Sequence, residues 1–511
     1  MRNVSKNVGF SIINNVIVLI LSFVVRRFFI LQLGTDYVGL NSLFSNILGI
    51  LSFAELGIGV AVTASLYEPL QRGNKKLIRA YLHFYRKFLN AVAIIITLAA
   101  ATVGFFIPTF IHGGSIFTDF QLWLYFFLYS LSSAVTYLIT YKRIILTADQ
   151  NDYLNQVNNL IFQSIIAILQ IVVLVFWQNY LLYLIIQVVF VVLSNFTINH
   201  RINKRYPELF KKKLVEKLDK KTHHELRKSI TGMISAKVGG IVLTSTDNIV
   251  ISAFLGLTIL GKYSNYVMIV TGLTVVLNQL ITALTPSIGN FRFSNKYSSS
   301  KQETKLFYQV TGMNYLIVIF ACCGFAVFSA LFIQVWVGKQ FILDFGIVVC
   351  LIVSFGVNQF RQAIIAFETA YGLFWQQRYK SILEAALNIV SSILLIKYTN
   401  LGVIGVLIGT MFTNLTLNLI WEILILKLNA LSRIKLSRYF IQYFITLIFL
   451  IWTTILGIFI SNILLSNISV LFAFPILIII FLLLCASNYA VFSIVFPDEY
   501  QFVKSRIKRQ R

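Results

Sequence analysis

The sequence predicts an all-α, polytopic membrane protein with about fourteen transmembrane helices. Three observations carry that prediction. Apolar residues fill 58% of the 511 positions, against roughly 45–50% in a soluble domain. They gather in runs of about 20 residues or more, long enough to cross a bilayer as helix. Lysine and arginine are almost confined to every second connection between the runs. A water-soluble core cannot hide so much apolar surface, and lipid must cover much of it.

In chain order the runs cover 8–33, 39–67, 84–111, 121–146, 157–177, 181–200, 230–255, 263–286, 306–335, 345–372, 381–399, 403–426, 439–463 and 470–494. They are too long, and too uniform from residue to residue, for the in–out alternation of a membrane barrel. The first run exceeds a signal core and has no small-residue cleavage site after it, so it reads as an uncleaved first helix. Of the 43 basic residues, 36 fall on the N-terminal side of the membrane. Three (Lys262, Lys339, Lys397) fall on the other side, and four (Arg26, Arg27, Lys237, Arg361) deeper inside runs; Arg86, Lys87, Lys142, Arg143 and Lys397, at the edges of runs, are counted with the adjoining connections. The positive-inside rule then places both termini in the cytoplasm, with the bacterial inner membrane as the expected location. The net charge of +25 is thereby read as a topology determinant touching anionic membrane lipids, with no call for nucleic acid.

The longest hydrophilic stretch, 201–229, holds Lys211-Lys212-Lys213 and Lys220-Lys221. It divides the chain into an N-terminal six-helix lobe (1–200), this basic linker, a C-terminal six-helix lobe (230–427), and two further helices with a basic tail (428–511). The two lobes share a pattern at an offset of 222 residues: Leu33-Gly34, Gly39, Ser42 and Ile47 match Leu255-Gly256, Gly261, Ser264 and Ile269. Thr147-Ala148 matches Thr369-Ala370 at the same offset. Each lobe opens with one polar stripe: Asn15, Ser22 and Arg26 in the first, Lys237, Thr244 and Asn248 in the second. At 100° per residue each set lies within about 20° of a line. A polar stripe on a membrane helix faces protein or water.

Charges at membrane depth cost at least about 2.5–3.5 kcal/mol each, which makes them functional candidates. They are Arg26, Arg27, Lys237 and Arg361 among the bases, and Glu55, Asp247 and Glu368 among the acids; Glu384 and Glu422 lie nearer the cytoplasmic ends of their runs. The arginines suit an anion, because the planar guanidinium fork binds phosphate or carboxylate with two hydrogen bonds. Internal pairing is the competing reading, for example Lys237 with Asp247 or Arg361 with Glu368. The latter two are seven residues apart, too far for a bridge along one helix. Gly57-x-Gly59 and Gly405-x3-Gly409 permit close helix packing. The four cysteines all lie in apolar runs without metal spacing, and the five histidines form no metal-binding pattern. No metal site and no cofactor are expected, apart from a coupling proton or sodium ion.

The stretches Leu33-Gly34-Thr-Asp-Tyr-Val-Gly39-Leu40 and Ala54-Glu55-Leu56-Gly57-Ile58-Gly59 resemble the opening hairpin of bacterial polysaccharide flippases. So does Thr246-Asp247-Asn248-Ile-Val-Ile-Ser-Ala-Phe-Leu-Gly256-Leu, followed by Gly261-Lys-Tyr-Ser264-Asn265. These are the O-antigen and capsule repeat-unit translocases of the polysaccharide transport family, in the MOP exporter superfamily. The resemblance implies two six-helix lobes in a V with two extra helices. It implies no enzymatic activity, but translocation of undecaprenyl-diphosphate-linked oligosaccharide from the inner to the outer leaflet by alternating access. Arg26, Arg27, Lys237, Arg361, Asn15 and Asn248 would then bind substrate in a cationic cavity, and Glu55, Asp247 and Glu368 would couple an ion. A polysaccharide polymerase and its chain-length machinery become expected partners of a monomeric transporter. The alternative is an ion-coupled multidrug or metabolite antiporter of the same superfamily. A membrane enzyme is disfavoured, since the longest outer loops hold about nine residues and no acid–base pair.

Overall fold

The structure is a computed structural model that describes residues 2–52, 58–112, 116–211, 216–220, 222–223, 226, 245–282, 284–285, 288–289, 291, 300–373, 375–377 and 379–501. Within them every regular element is helical. Among the described residues, twelve helices are long and apolar enough to cross a membrane. The predicted second run is present as two helices on either side of 53–57, and of the seventh run only 245–255 is described. The chain is a multi-pass membrane protein, and it divides into two compact units, Met1–Gly261 and Lys262–Arg511.

The first unit contains α1 (Arg2–Leu33), α2 (Thr35–Leu51), α3 (Ile58–Gln71), α4 (Lys75–Val103), α5 (Asp119–Ile139), α6 (Arg143–Ala148), α7 (Tyr153–Trp177), α8 (Tyr180–Arg205) and the short α9 (Pro207–Phe210). Polar side chains start and stop these helices where the sequence leaves the membrane. Asn74 accepts a hydrogen bond from the Leu77 amide at the start of α4, and Asn179 one from the Leu182 amide at the start of α8. Thr118 and Gln121 exchange side-chain and backbone bonds in a capping box before α5. Gln178 ends α7 in the left-handed region, at φ 48°.

Helices α1 and α7 run side by side in the same direction, joined by amide pairs. The Asn7 side chain bonds Gln150 and Tyr153 backbone groups, Asn14 pairs with Gln156 and Asn159, and Gln178 with Gln32. Inside lipid, apolar surface gives no hydrophobic drive for helices to associate, so such hydrogen bonds and close packing carry the specificity. At the end bearing α9, an apolar cluster joins α3, α4, α6 and α8 with Leu209 and Leu226 of the linker. Arg79 of α4, only 7% exposed, donates to the Leu209 carbonyl at 2.7 Å and pairs with Glu216 at 2.5 Å. The basic stretch is therefore folded onto the first unit over part of its length. Tyr206 there donates to Asp149; burial and that carboxylate push its phenol up to about 12.

The repeat read from sequence has a structural echo. Gly34 and Gly256, 222 residues apart, both adopt left-handed backbone, at φ 89° and 90°. Around them, residues one offset apart meet one another. A Cβ on Gly39 would overlap the Leu257 carbonyl, one on Gly261 would overlap that of Thr35, and Thr258 donates to Asp36 at 2.5 Å. Only glycine permits backbones to approach this closely.

The second unit holds most of α10 (Leu257–Thr282), then α11 (Ser300–Trp336), α12 (Phe345–Phe360), α13 (Gln362–Tyr371), α14 (Lys380–Tyr398), α15 (Val403–Thr413), α16 (Leu419–Asn429), α17 (Leu436–Asn467) and α18 (Val470–Val495). A single π-helical turn, Asn414–Asn418, joins α15 to α16. The long α11 packs on α17 and α18, with Cys323, Val327, Leu477 and Leu484 at the contact. Large apolar residues such as Ile448, Trp452, Phe472, Leu483 and Ile494 are exposed on α17 and α18. Lipid tails, rather than water, suit such a surface.

Candidate functional site

Two intramembrane charge sites emerge, one in each unit, with opposite electrostatic designs. The first is built around Arg26 on α1. Its guanidinium shares its surroundings with the phenols of Tyr129, Tyr180 and Tyr183. Tyr180 and Tyr183, at the start of α8, stack at 5.9 Å, and Phe29 meets them edge-on at 5.7 and 5.1 Å. Tyr125 and Tyr37 close on Tyr180 at 5.0 and 5.4 Å, and the Tyr180 hydroxyl bonds Asn41. Among the described residues no carboxylate forms an ion pair with Arg26. The phenols around it are uncharged and leave the charge of the arginine uncancelled.

The second site centres on Arg361, 8% exposed, at the break between α12 and α13. One guanidinium nitrogen donates to Glu422 at 2.6 Å, another to Asn414 at 2.6 Å and Glu384 at 3.3 Å. Lys380 pairs with the same Glu422, and Asn418 donates to both Glu384 and Asn414. Glu368, buried one turn from the end of α13, accepts from Gln377. The π turn brings Asn414 and Asn418 onto one face, and such turns often mark functional positions. Two bases and three carboxyls share this buried cluster, so one proton or small cation is needed for neutrality.

Other sequence candidates fall elsewhere. Arg27 and Asn15 are exposed on α1, while the neighbouring Asn14, 4% exposed, makes the contact with α7. Asn248 donates to Asn46 of α2 at 3.1 Å, and Asp247 is buried beside it in sequence. Lys237 and Glu55 lie outside the described residues. Arg26 and Arg361 therefore sit in separate environments. Two residues that sequence reasoning set at the cytoplasmic ends, Glu384 and Glu422, prove to be the partners of Arg361; at 4% and 0% exposure both are buried.

Comparison with solved structures sets these sites in a known architecture. The lipid II flippase MurJ, in an inward closed conformation, superposes with a TM-score of 0.66 at 16% identity, covering 95% of this chain and 99% of the flippase. The fold is that of the MOP-superfamily transporters. An inward-facing multidrug resistance MATE family transporter of that superfamily gives 0.64 at 14% identity, over 81% of this chain and 96% of its own. A Vibrio cholerae MATE transporter gives 0.56 at 13% identity, over 84% and 99%. No protein-family model and no curated protein sequence matches the chain.

Proposed function

We propose that the chain is a flippase for undecaprenyl-diphosphate-linked oligosaccharide repeat units, moving them from the cytoplasmic to the outer leaflet of the bacterial inner membrane by alternating access. The observation that carries this reading is Arg26. It is a cation at membrane depth, set among phenols and paired with no described carboxylate. An uncompensated guanidinium in a low-dielectric setting recruits an anion, and a diphosphate matches its fork. A cavity that receives the diphosphate and sugars spares them exposure to hydrocarbon, where each unsatisfied polar group costs several kcal/mol. The fold shared with a lipid II flippase over 95% of the chain supports the same reading.

In this proposal both termini are cytoplasmic, following the basic connections. Arg26 is the principal substrate contact, with Lys237 and Asn248 as further candidates. Arg361 is already neutralised by Glu384 and Glu422. Its cluster, with Glu368, is the better candidate for coupling to a proton or sodium ion, since one added positive charge balances it. Polymerase and chain-length proteins would receive the flipped product. The buried carboxylates of this cluster also suit the second reading, a cation-coupled drug or metabolite antiporter.

Complementation decides between them. The gene is deleted in its host, and surface polysaccharide is assayed with the wild-type chain and with Arg26→Gln at matched expression. The flippase reading expects lipid-linked oligosaccharide to accumulate on the cytoplasmic leaflet in the deletion strain, with Arg26→Gln failing to restore export. Unchanged surface polysaccharide together with increased drug sensitivity would overturn it in favour of the antiporter.

A further inference from the structure

The first unit contains a second arginine whose charge is held but not cancelled. Arg143 opens α6, immediately after the tight turn Thr140–Lys142 that breaks the fourth span. Its Nη2 donates to Asn195 at 2.8 Å and to the Ser194 hydroxyl at 3.5 Å. Asn158, 1% exposed, donates to that same hydroxyl, and Asn195 in turn bonds Thr136. The surrounding acceptors are thus amides and hydroxyls. The acid that acts on Arg143, Asp152, is occupied by Thr147, Asn155 and Gln156 and forms no ion pair with it. The Arg143 Nε–H is buried without an acceptor, and the amide oxygens of Asn155 and Asn158 are buried without donors. A buried donor left unmet costs about 1–3 kcal/mol, so a ligand that supplies an acceptor there is favoured.

Depth can be read from the pairing of α1 with α7. Asn14 lies level with Gln156 and Asn159, and Arg143 is tied through Asn155 and Ser194 to the same level of α7 and α8. Arg26 is twelve residues further along α1, about 18 Å at 1.5 Å per residue. The two uncompensated arginines therefore stand at two depths of the same unit, Arg143 on the side of the basic connections.

We propose that Arg143 is a second anion-binding residue, which receives the diphosphate of a lipid-linked substrate on the basic side before it reaches Arg26. This rests on the flippase reading above. The amide cradle has a specific purpose in it. Asn195 and Ser194 orient the guanidinium, as a carboxylate would, while leaving its full charge and its remaining donors for phosphate oxygens.

The test uses the full chain in lipid nanodiscs, with farnesyl diphosphate, inorganic diphosphate and farnesol as probes in calorimetric titration. Arg143→Gln is expected to weaken farnesyl diphosphate binding about tenfold or more, and Arg143→Lys, which keeps the charge and loses the fork, to weaken it by less than Arg143→Gln. Asn195→Asp is the deciding variant. It places a carboxylate on Arg143, so it raises the thermal midpoint and yet weakens binding about as much as Arg143→Gln; a merely structural brace would gain stability with binding unchanged. Where Arg143→Gln fails to fold, Asn195→Asp alone gives the answer. Unchanged binding in Asn195→Asp, with loss in Arg26→Gln, overturns this proposal and leaves the flippase reading in place. Wild-type protein that binds farnesyl diphosphate no better than farnesol overturns both. Equal affinity for inorganic and farnesyl diphosphate overturns the lipid-linked part of the assignment.

Discussion

Replacing Arg361 by methionine removes the centre of the buried cluster in the second unit while keeping most of its volume. Three carboxyls, Glu368, Glu384 and Glu422, then face the single cation Lys380. Glu422 is 0% exposed and cannot recruit water in compensation. Removing one partner of a buried ion pair costs about 3–5 kcal/mol. The bonds lost here, at 2.6 Å to Glu422 and 3.3 Å to Glu384, place Arg361→Met within that range. Glu422→Gln alone strands Lys380 and half of the Arg361 fork, and is expected to cost a similar amount. The double variant removes one charge of each sign and restores the original imbalance of one. It should cost less than the sum of the two by about 2–3 kcal/mol, the coupling expected of residues in one network. The assay is reversible unfolding in mixed micelles, read by tryptophan fluorescence for wild type, both singles and the double. Arg361→Met with a loss below about 1 kcal/mol, or singles and double that simply add, would refute the closed ion-pair network and return Arg361 to the substrate.

Three further outcomes follow from other parts of the molecule. Gly39→Ala puts a methyl group into the Leu257 carbonyl; it should lower the thermal midpoint and weaken the Asp36–Thr258 bond, measurable as slower disulfide formation between cysteines placed at 36 and 258. Arg79→Ala frees the linker segment that Arg79 holds through Glu216 and Leu209, so limited trypsin digestion at Lys211 and Lys220 should accelerate severalfold with the transmembrane core intact. Burial raises the proton affinity of Glu499, which is 1% exposed, and Arg438 at 2.8 Å opposes this only in part. Its folded-state pKa therefore lies above the unfolded one, so stability is lost as pH rises from the ordinary carboxylate range through the folded value. Glu499→Gln should flatten that slope in pH-dependent unfolding.

Much of the fold was legible because membrane spans announce themselves by length and composition, and because a duplicated glycine betrays a duplicated backbone. Gly34 and Gly256 were found as letters at one offset and reappear as matched left-handed turns. The same offset relates Ile139, just before the break in the fourth span, to Arg361, at the break between α12 and α13. Pairing was much less legible. Helical spacing gives the angle of a side chain about its own axis, and says nothing of which neighbour stands there. Spacing along one run offers Arg361 only Glu368, whereas its partners are 23 and 61 residues further along. A stripe through Asn15, Ser22 and Arg26 likewise missed Asn14, one residue and about 100° away, which holds α7. Arg143 hides for a different reason: it follows a lysine at the edge of a run and reads as part of a basic connection, although its side chain reaches Asn195 of α8.

The two arginine environments separate two tasks that sequence alone merges into one count of buried charge. An arginine answered by two glutamates presents little field to a ligand, and its removal is felt as lost stability. An arginine set among phenols, as at Arg26, or bonded to an amide, as at Arg143, keeps its field in a medium that screens it weakly. A flippase must bind a diphosphate firmly enough to draw it from the headgroup layer and loosely enough to release it. On the proposed flippase reading, graded contacts at two depths, each offering one uncompensated charge, would meet both demands better than one site with every cation together. On that basis, placing a carboxylate on either arginine should slow translocation without lowering the thermal midpoint, whereas removing Arg361 should lower the midpoint more than it slows translocation. Parallel measurement of export and thermal midpoint for Asn195→Asp and Arg361→Met reads the distinction directly, and equal ratios of the two effects would dissolve it.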